Sequence, residues 1–206
     1  MNKRKFAFNL DKIMKWIMRI ALLNFLWIIY SLLGLIVVGI FPSTIATLGV
    51  ARKWLMKDKE VNVWKVFKDI YKEEFIQSNI AGWILTFIGL VLYMNYQVMK
   101  AWQGELFFII PFAFLLVLFL YFLLILWIFP LMVHYNAKLS NLFKSAFIVG
   151  VTKIHYSISI GIFLFGVIFF SLDLPSLFIF ISFSLLAVGW MWISLKVLMK
   201  INPKTD

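Results

Sequence analysis

The 206 residues contain no cysteine. Disulfides, thiol nucleophiles and cysteine-ligated metals are therefore excluded. Charge is scarce as well: 14% of the residues are charged, against roughly a quarter in a soluble domain. The few charges are clustered, and the runs 20–51, 75–99, 106–137, 154–172 and 174–195 contain none. With no Asp or Glu in any run, the carboxylate pairs of an intramembrane aspartyl hydrolase or a proton relay are missing. The chain also lacks a phosphate loop, a dinucleotide fingerprint and a paired-histidine zinc motif. His134 and His155 have no neighbouring carboxylate or third ligand, so they read as structural rather than metal-binding. The expectation is a non-enzyme with no cofactor.

What the chain does have is apolar length. It is 64% hydrophobic and 19% aromatic, with a mean hydropathy of +0.97. A bilayer core of about 30 Å needs roughly 20 apolar residues in a helix, and each of the five uncharged runs can supply one. Alternating ten-residue strands are absent, which disfavours a barrel. The fold expected is all-α: a polytopic helical membrane protein in one domain, with full spans at about 18–40, 80–99, 105–131, 154–172 and 176–198. The run 20–40 exceeds the roughly 7–15 residues of a signal core and reads as a retained anchor. The net charge of +11 flanks these runs instead of forming a separate basic domain. It points to orientation in a bilayer and not to nucleic acid.

Basic residues set the topology. Lys and Arg number six in 1–19, seven in 52–72, three in 138–153 and three in 196–204, with Lys100 alone. If the chain turns back at Phe41-Pro42, 19 of the 20 fall on one side; if it does not, only 7 share the side of the N-terminus. The positive-inside rule selects the hairpin and places both termini in the cytoplasm. The return leg, about 42–56, is short, at roughly 22 Å. Proline suits its first turn, and Gly34 and Gly39 would let the two legs approach closely. Arg52 lies ten residues beyond Pro42. It either marks a polar cavity or partner within the membrane or snorkels to the interface beside Lys53.

Two further segments have helical amphipathicity. In 61–77, Val63, Val66, Phe67, Ile70 and Tyr71 share one face, and Lys65, Lys68, Asp69 and Lys72 share the other. In 138–150, Leu139, Leu142, Phe143, Ala146 and Phe147 form the apolar face. Both are expected to lie at the cytoplasmic interface. Lys53, Trp54, Lys65, Lys68 and Lys144 would then form, with Arg52, a basic-aromatic surface for anionic lipid or a protein partner. Asn24 in the first span is expected to bridge helices, with a ligand role as the alternative.

The stretches N-F-L-W-I at 24–28, F-P-S-T-I-A at 41–46, A-R-K-W-L at 51–55, S-N at 78–79, F-P-L at 129–131 and L-S-N-L-F-K-S-A-F at 139–147 carry a resemblance. Together with Gly34, Gly39, Phe67 and Phe75, they resemble the YesL family of Gram-positive bacterial membrane proteins, over residues 12–155. That family is a domain of unknown function, so no catalytic residue is carried over. Its members are often encoded near carbohydrate uptake transporters and sensor-kinase pairs, and the resemblance implies an accessory role beside an ABC transporter or its signalling. A small stand-alone permease is the alternative, and an intramembrane enzyme lacks its necessary groups.

Overall fold

The structure, a computed structural model, describes residues 3–58, 61–101, 109–173 and 178–201. Among them there are eight α-helices and no strand. These are α1 (Lys3–Leu33), α2 (Ile40–Leu55), α3 (Val63–Glu73), α4 (Phe75–Ala101), α5 (Ile109–His134), α6 (Leu139–Thr152), α7 (Ile154–Asp173) and α8 (Phe183–Ile201). A π-helical turn, Phe178–Ser182, leads into α8. Among the described residues, five stretches are long and apolar enough to cross a membrane: Ile13–Leu33, Phe75–Lys100, Ile110–His134, Ile154–Asp173 and Phe180–Ile201. The expected loops near 100–104 and 173–175 fall largely outside the described residues.

The reversal in the first hairpin lies earlier than Phe41-Pro42. α1 stops at Leu33 and the chain turns over 34–39, so Pro42 is already in the first turn of α2. Its missing N–H costs nothing there. The turn itself has no polar signal. Leu35 and Ile36 adopt positive φ values of 53° and 64°, which are unfavourable for side chains with a Cβ and rare for a β-branched one. A Cβ on Gly39 would stand 2.5 Å from the Ser31 carbonyl oxygen and 2.7 Å from that of Tyr30, and one on Gly34 would strike the Gly39 Cα. Only hydrogen fits where the two legs meet.

α2 is too short to span a bilayer, yet it forms the centre of the molecule. It touches α1, α3, α4, α5 and α8, and Pro42, Ser43, Ile45, Ala46, Thr47, Leu48, Gly49, Val50, Ala51 and Trp54 are buried. The composition explains this position. In lipid, helices associate by close van der Waals packing, not by water exclusion, and small side chains let five neighbours crowd one short helix. A Cβ at Gly49 would come within 2.5 Å of Ile70 Cδ1. The Thr47 hydroxyl donates to the Ser43 carbonyl at 2.7 Å, so burial leaves that donor satisfied.

Both amphipathic helices bury apolar residues against other helices of the molecule. On α3, Val63 and Phe67 are buried in a cluster with Leu23, Leu26, Ala46, Val50 and Trp54, and Val66, Ile70 and Tyr71 pack against it. The helix starts at an Asn62 cap whose side chain accepts from the Lys65 N–H at 3.1 Å. On α6, Leu142, Ala146, Val149 and Gly150 are buried. This helix folds back along α5, and a Cβ on Gly150 would approach Leu123 Cβ at 3.1 Å. The apolar face of α3 is thus a protein–protein contact, and that of α6 is one in part, since Phe147 remains exposed. The long apolar stretches differ too: Phe180–Ile201 is about half buried inside the molecule, whereas Ile154–Asp173 is mostly exposed.

Candidate functional site

The helix ends that join α2, α3, α4 and α5 bring the polar side chains together. Arg52 sits on the last turn of α2 and His134 on the last residue of α5. The Arg52 Nε donates to His134 Nδ1 at 3.2 Å. A guanidinium has no acceptor, so this bond requires a lone pair on Nδ1 and puts the imidazole proton on Nε2. His134 is buried, and its Nε2 has no partner among the described residues. Arg52 is half-buried and tethered at the edge of a cleft.

The cavity is a cleft of about 340 Å³ between α2, the α3–α4 junction and the end of α5. Arg52 and Lys53 form one wall. Asp69, Glu73 and Glu74 stand on the other, with Ile45, Gly49, Val66, Ile70, Met132 and Val133 completing the lining. Glu74 is half-buried where α3 gives way to α4. Burial, and then the charge of neighbouring Glu73, pushes its carboxyl above the ordinary range. Among the described residues, no ion pair within 4.0 Å joins the two walls. Nearby, the Gln77 amide donates to the Ala137 carbonyl at 3.0 Å, holding the start of α4 against the α5–α6 loop.

The other residues expected from the sequence fall into three groups. Lys53, Lys65, Lys68 and Lys144 are exposed. Trp54 does not belong with them: it is 8% exposed, packed edge-on against Trp16 at 5.5 Å. Its burial removes it from any docking surface. Phe41 and Pro42 serve the hairpin, the Phe41 ring lying over Gly82, where any Cβ would collide with it, and edge-on to Trp83 at 6.1 Å.

Asn24 is fully buried, and its Oδ1 accepts from the Phe183 N–H at 2.9 Å and the Ser184 N–H at 3.2 Å. These N–H groups lie where the π turn passes into α8. The Ser184 hydroxyl reciprocates by donating to the Ile20 carbonyl at 2.8 Å. Asn24 thus ties α1 to the first residues of α8.

His134 and the acidic wall were not anticipated. His134 lies 82 residues from Arg52, and no local spacing links them. The Glu73-Glu74 pair directly before a span was the available signal for the acidic side.

A family model described as a protein of unknown function, DUF624, matches residues 20–96. That interval includes Asn24, the hairpin, Arg52, Lys53 and the whole acidic wall of the cleft. The chain is 34% identical over 188 residues to the uncharacterized protein YteU of Bacillus subtilis (strain 168), covering 91% of this chain and 84% of that one. It is 36% identical over 137 residues to the uncharacterized protein YesV of the same organism, covering 66% of each. Over 200 residues it is 26% identical to the uncharacterized protein YesL, covering 97% of this chain and 94% of YesL. No solved structure matches.

Proposed function

Because the chain belongs to the YesL-like DUF624 family, whose function is unknown, we propose its role from its own geometry: a non-enzymatic membrane subunit that docks a protein partner through the charged face of α3. The observation that carries this reading is the occupation of α3. A lipid-binding amphipathic helix works by burying its apolar face in the bilayer, but here that face is filled by α1 and α2. What α3 offers outward is Lys65, Lys68, Asp69, Lys72 and Glu73. A fixed, folded helix presenting mixed charge suits recognition of a complementary protein surface better than general attraction to lipid. Neighbours in carbohydrate uptake or its signalling, as the family resemblance implies, are the partners to test.

The distribution of Lys and Arg supports a cytoplasmic position for this face and for both termini. With no native cysteine, a single Lys68→Cys reports on it directly. That residue is expected to resist an impermeant maleimide in intact cells and to react after permeabilisation. Labelling in intact cells would invert the topology.

Docking itself is tested by cross-linking in the native host. Lys65→Glu combined with Lys68→Glu is expected to remove at least about nine-tenths of a specific co-purifying membrane protein while insertion stays normal. The loss should depend on position, so the same reversal at exposed Lys196 and Lys200 leaves recovery largely intact. Loss in proportion to charge at both places is the outcome expected of lipid attraction and would discard docking. Finding no co-purifying protein with the parent chain favours the stand-alone permease.

A further inference from the structure

The cleft beside Arg52 carries a second inference, which shares Asp69 and Glu73 with the charged face of α3. Its walls have opposite sign: Arg52 and Lys53 face Asp69, Glu73 and Glu74 across about 340 Å³. Half-buried Arg52 and Glu74, on adjoining helices, would ordinarily close into a hydrogen-bonded pair, since an ionised group away from bulk water is costly alone, whereas exposed Lys53, Asp69 and Glu73 stay hydrated. Here Arg52 and Glu74 do not, and no ion pair within 4.0 Å bridges the gap among the described residues.

Two features keep the walls apart. The backbones are fixed by the close fit of Gly49 against Ile70 at the floor. Arg52, the residue best placed to swing across, gives its Nε to the neutral imidazole of His134. That bond uses one of five guanidinium N–H donors and leaves the Nη groups available to an anion. On the facing wall, burial and Glu73 already disfavour the charged form of Glu74, a condition that a nearby cation relieves.

We propose that this cleft binds a small zwitterion, its anionic group against Arg52 and Lys53 and its primary ammonium against Asp69, Glu73 and Glu74. The volume lies at the small end of ligand pockets, roughly 300–1,000 Å³, which fits a headgroup-sized molecule. Arginine with lysine suits a phosphate or carboxylate. Three acceptor side chains suit an ammonium with three N–H donors; a quaternary trimethylammonium has none to give. The shared chemistry is that of phosphoethanolamine, whether free or as the headgroup of phosphatidylethanolamine.

The test is thermal unfolding of the full chain in mild detergent with O-phosphoethanolamine, phosphocholine, ethanolamine and inorganic phosphate. A parallel arm uses phosphatidylglycerol nanodiscs with and without phosphatidylethanolamine. The zwitterion with a primary ammonium is expected to raise Tm by about 5 °C at roughly hundredfold excess over Kd, and the single-charge fragments by far less. A rise with free phosphoethanolamine identifies a soluble ligand, and one seen only in the nanodiscs identifies the lipid. Lys53→Gln and Glu73→Gln, both at exposed positions that leave the core untouched, should each weaken the response at least about tenfold in apparent Kd, while Lys65→Gln does not. Equal stabilisation by inorganic phosphate or by phosphocholine would overturn the proposal, as would the absence of stabilisation in both arms.

Discussion

Alanine at position 39 is expected to destroy most folded yield, whereas alanine at position 161 leaves yield unchanged or slightly improved. The substitution is the same and both sites are in apolar surroundings, so the contrast isolates geometry. Gly39 has φ −89° and ψ −31°, a conformation open to any residue, and its need is for space alone. A methyl group there would press on the carbonyl oxygens of Tyr30 and Ser31 and on the Ser31 Cα, all closer than 3.0 Å. These are backbone atoms of a packed helix and cannot swing aside. Overpacking typically costs about 1–3 kcal/mol, and the turn already holds Leu35 and Ile36 in αL, at about 1–3 kcal/mol each. A Cβ on Gly161 meets nothing within 4 Å, and replacing glycine by alanine within a helix gains roughly 0.5–1 kcal/mol. Fluorescence-detected gel filtration and a detergent melt measure both variants. Equal behaviour would show that the legs of the hairpin do not touch as described.

The second large effect belongs to Trp190 and Pro130. Proline inside α5 has no N–H to give to the carbonyl of Leu126, four residues back. The indole Nε1 of Trp190, on α8, supplies the missing donor at 2.9 Å, and its ring meets Phe129 edge-on at 6.1 Å. Trp190→Phe keeps an aromatic ring and strands the carbonyl in apolar surroundings, at about 1–3 kcal/mol in addition to lost packing. At roughly 2–4 °C per kcal/mol for a chain of this size, the melt should fall by about 4–10 °C. In a Pro130→Ala background the new N–H can reach Leu126, so Trp190→Phe should cost at least ~1 kcal/mol less. Strict additivity in this double-mutant cycle would mean that the indole does not compensate the proline.

The sequence made the spans legible because the cost of charge in lipid leaves long gaps between ionisable residues. It made the hairpin legible because the basic residues cannot otherwise be reconciled with one side. The turn was placed late, since Pro42 signals a helix start and Gly34 to Gly39 reads as more membrane helix. Its positive-φ residues, Leu35 and Ile36, are apolar and held by context, not by turn chemistry. The amphipathic faces of α3 and α6 were visible, but an apolar stripe looks the same whether lipid or protein covers it. That ambiguity also put Trp54 among exposed aromatics when Trp16 and the α3 cluster bury it. For Arg52, the depth along α2 was readable, while its partner was not. Contacts such as Arg52 with His134, or Trp190 with Leu126, join positions more than sixty residues apart, and one sequence holds no trace of them.

The central position of α2 also imposes an order of assembly. This helix is made within the first third of the 206 residues, yet one of its principal neighbours, α8, is the last of the described helices. Asn24 waits 159 residues for the Phe183 N–H from which it accepts. At about 5–20 residues per second of translation, the hairpin spends roughly 8–30 s with that amide and one flank of α2 facing whatever the insertion machinery and the lipid provide. The small residues that make α2 a good hub give it little apolar surface with which to hold its place alone. Closure of the bundle is thus a late, C-terminal event, and a ribosome that stops short of α8 leaves a chain that is inserted but not yet folded.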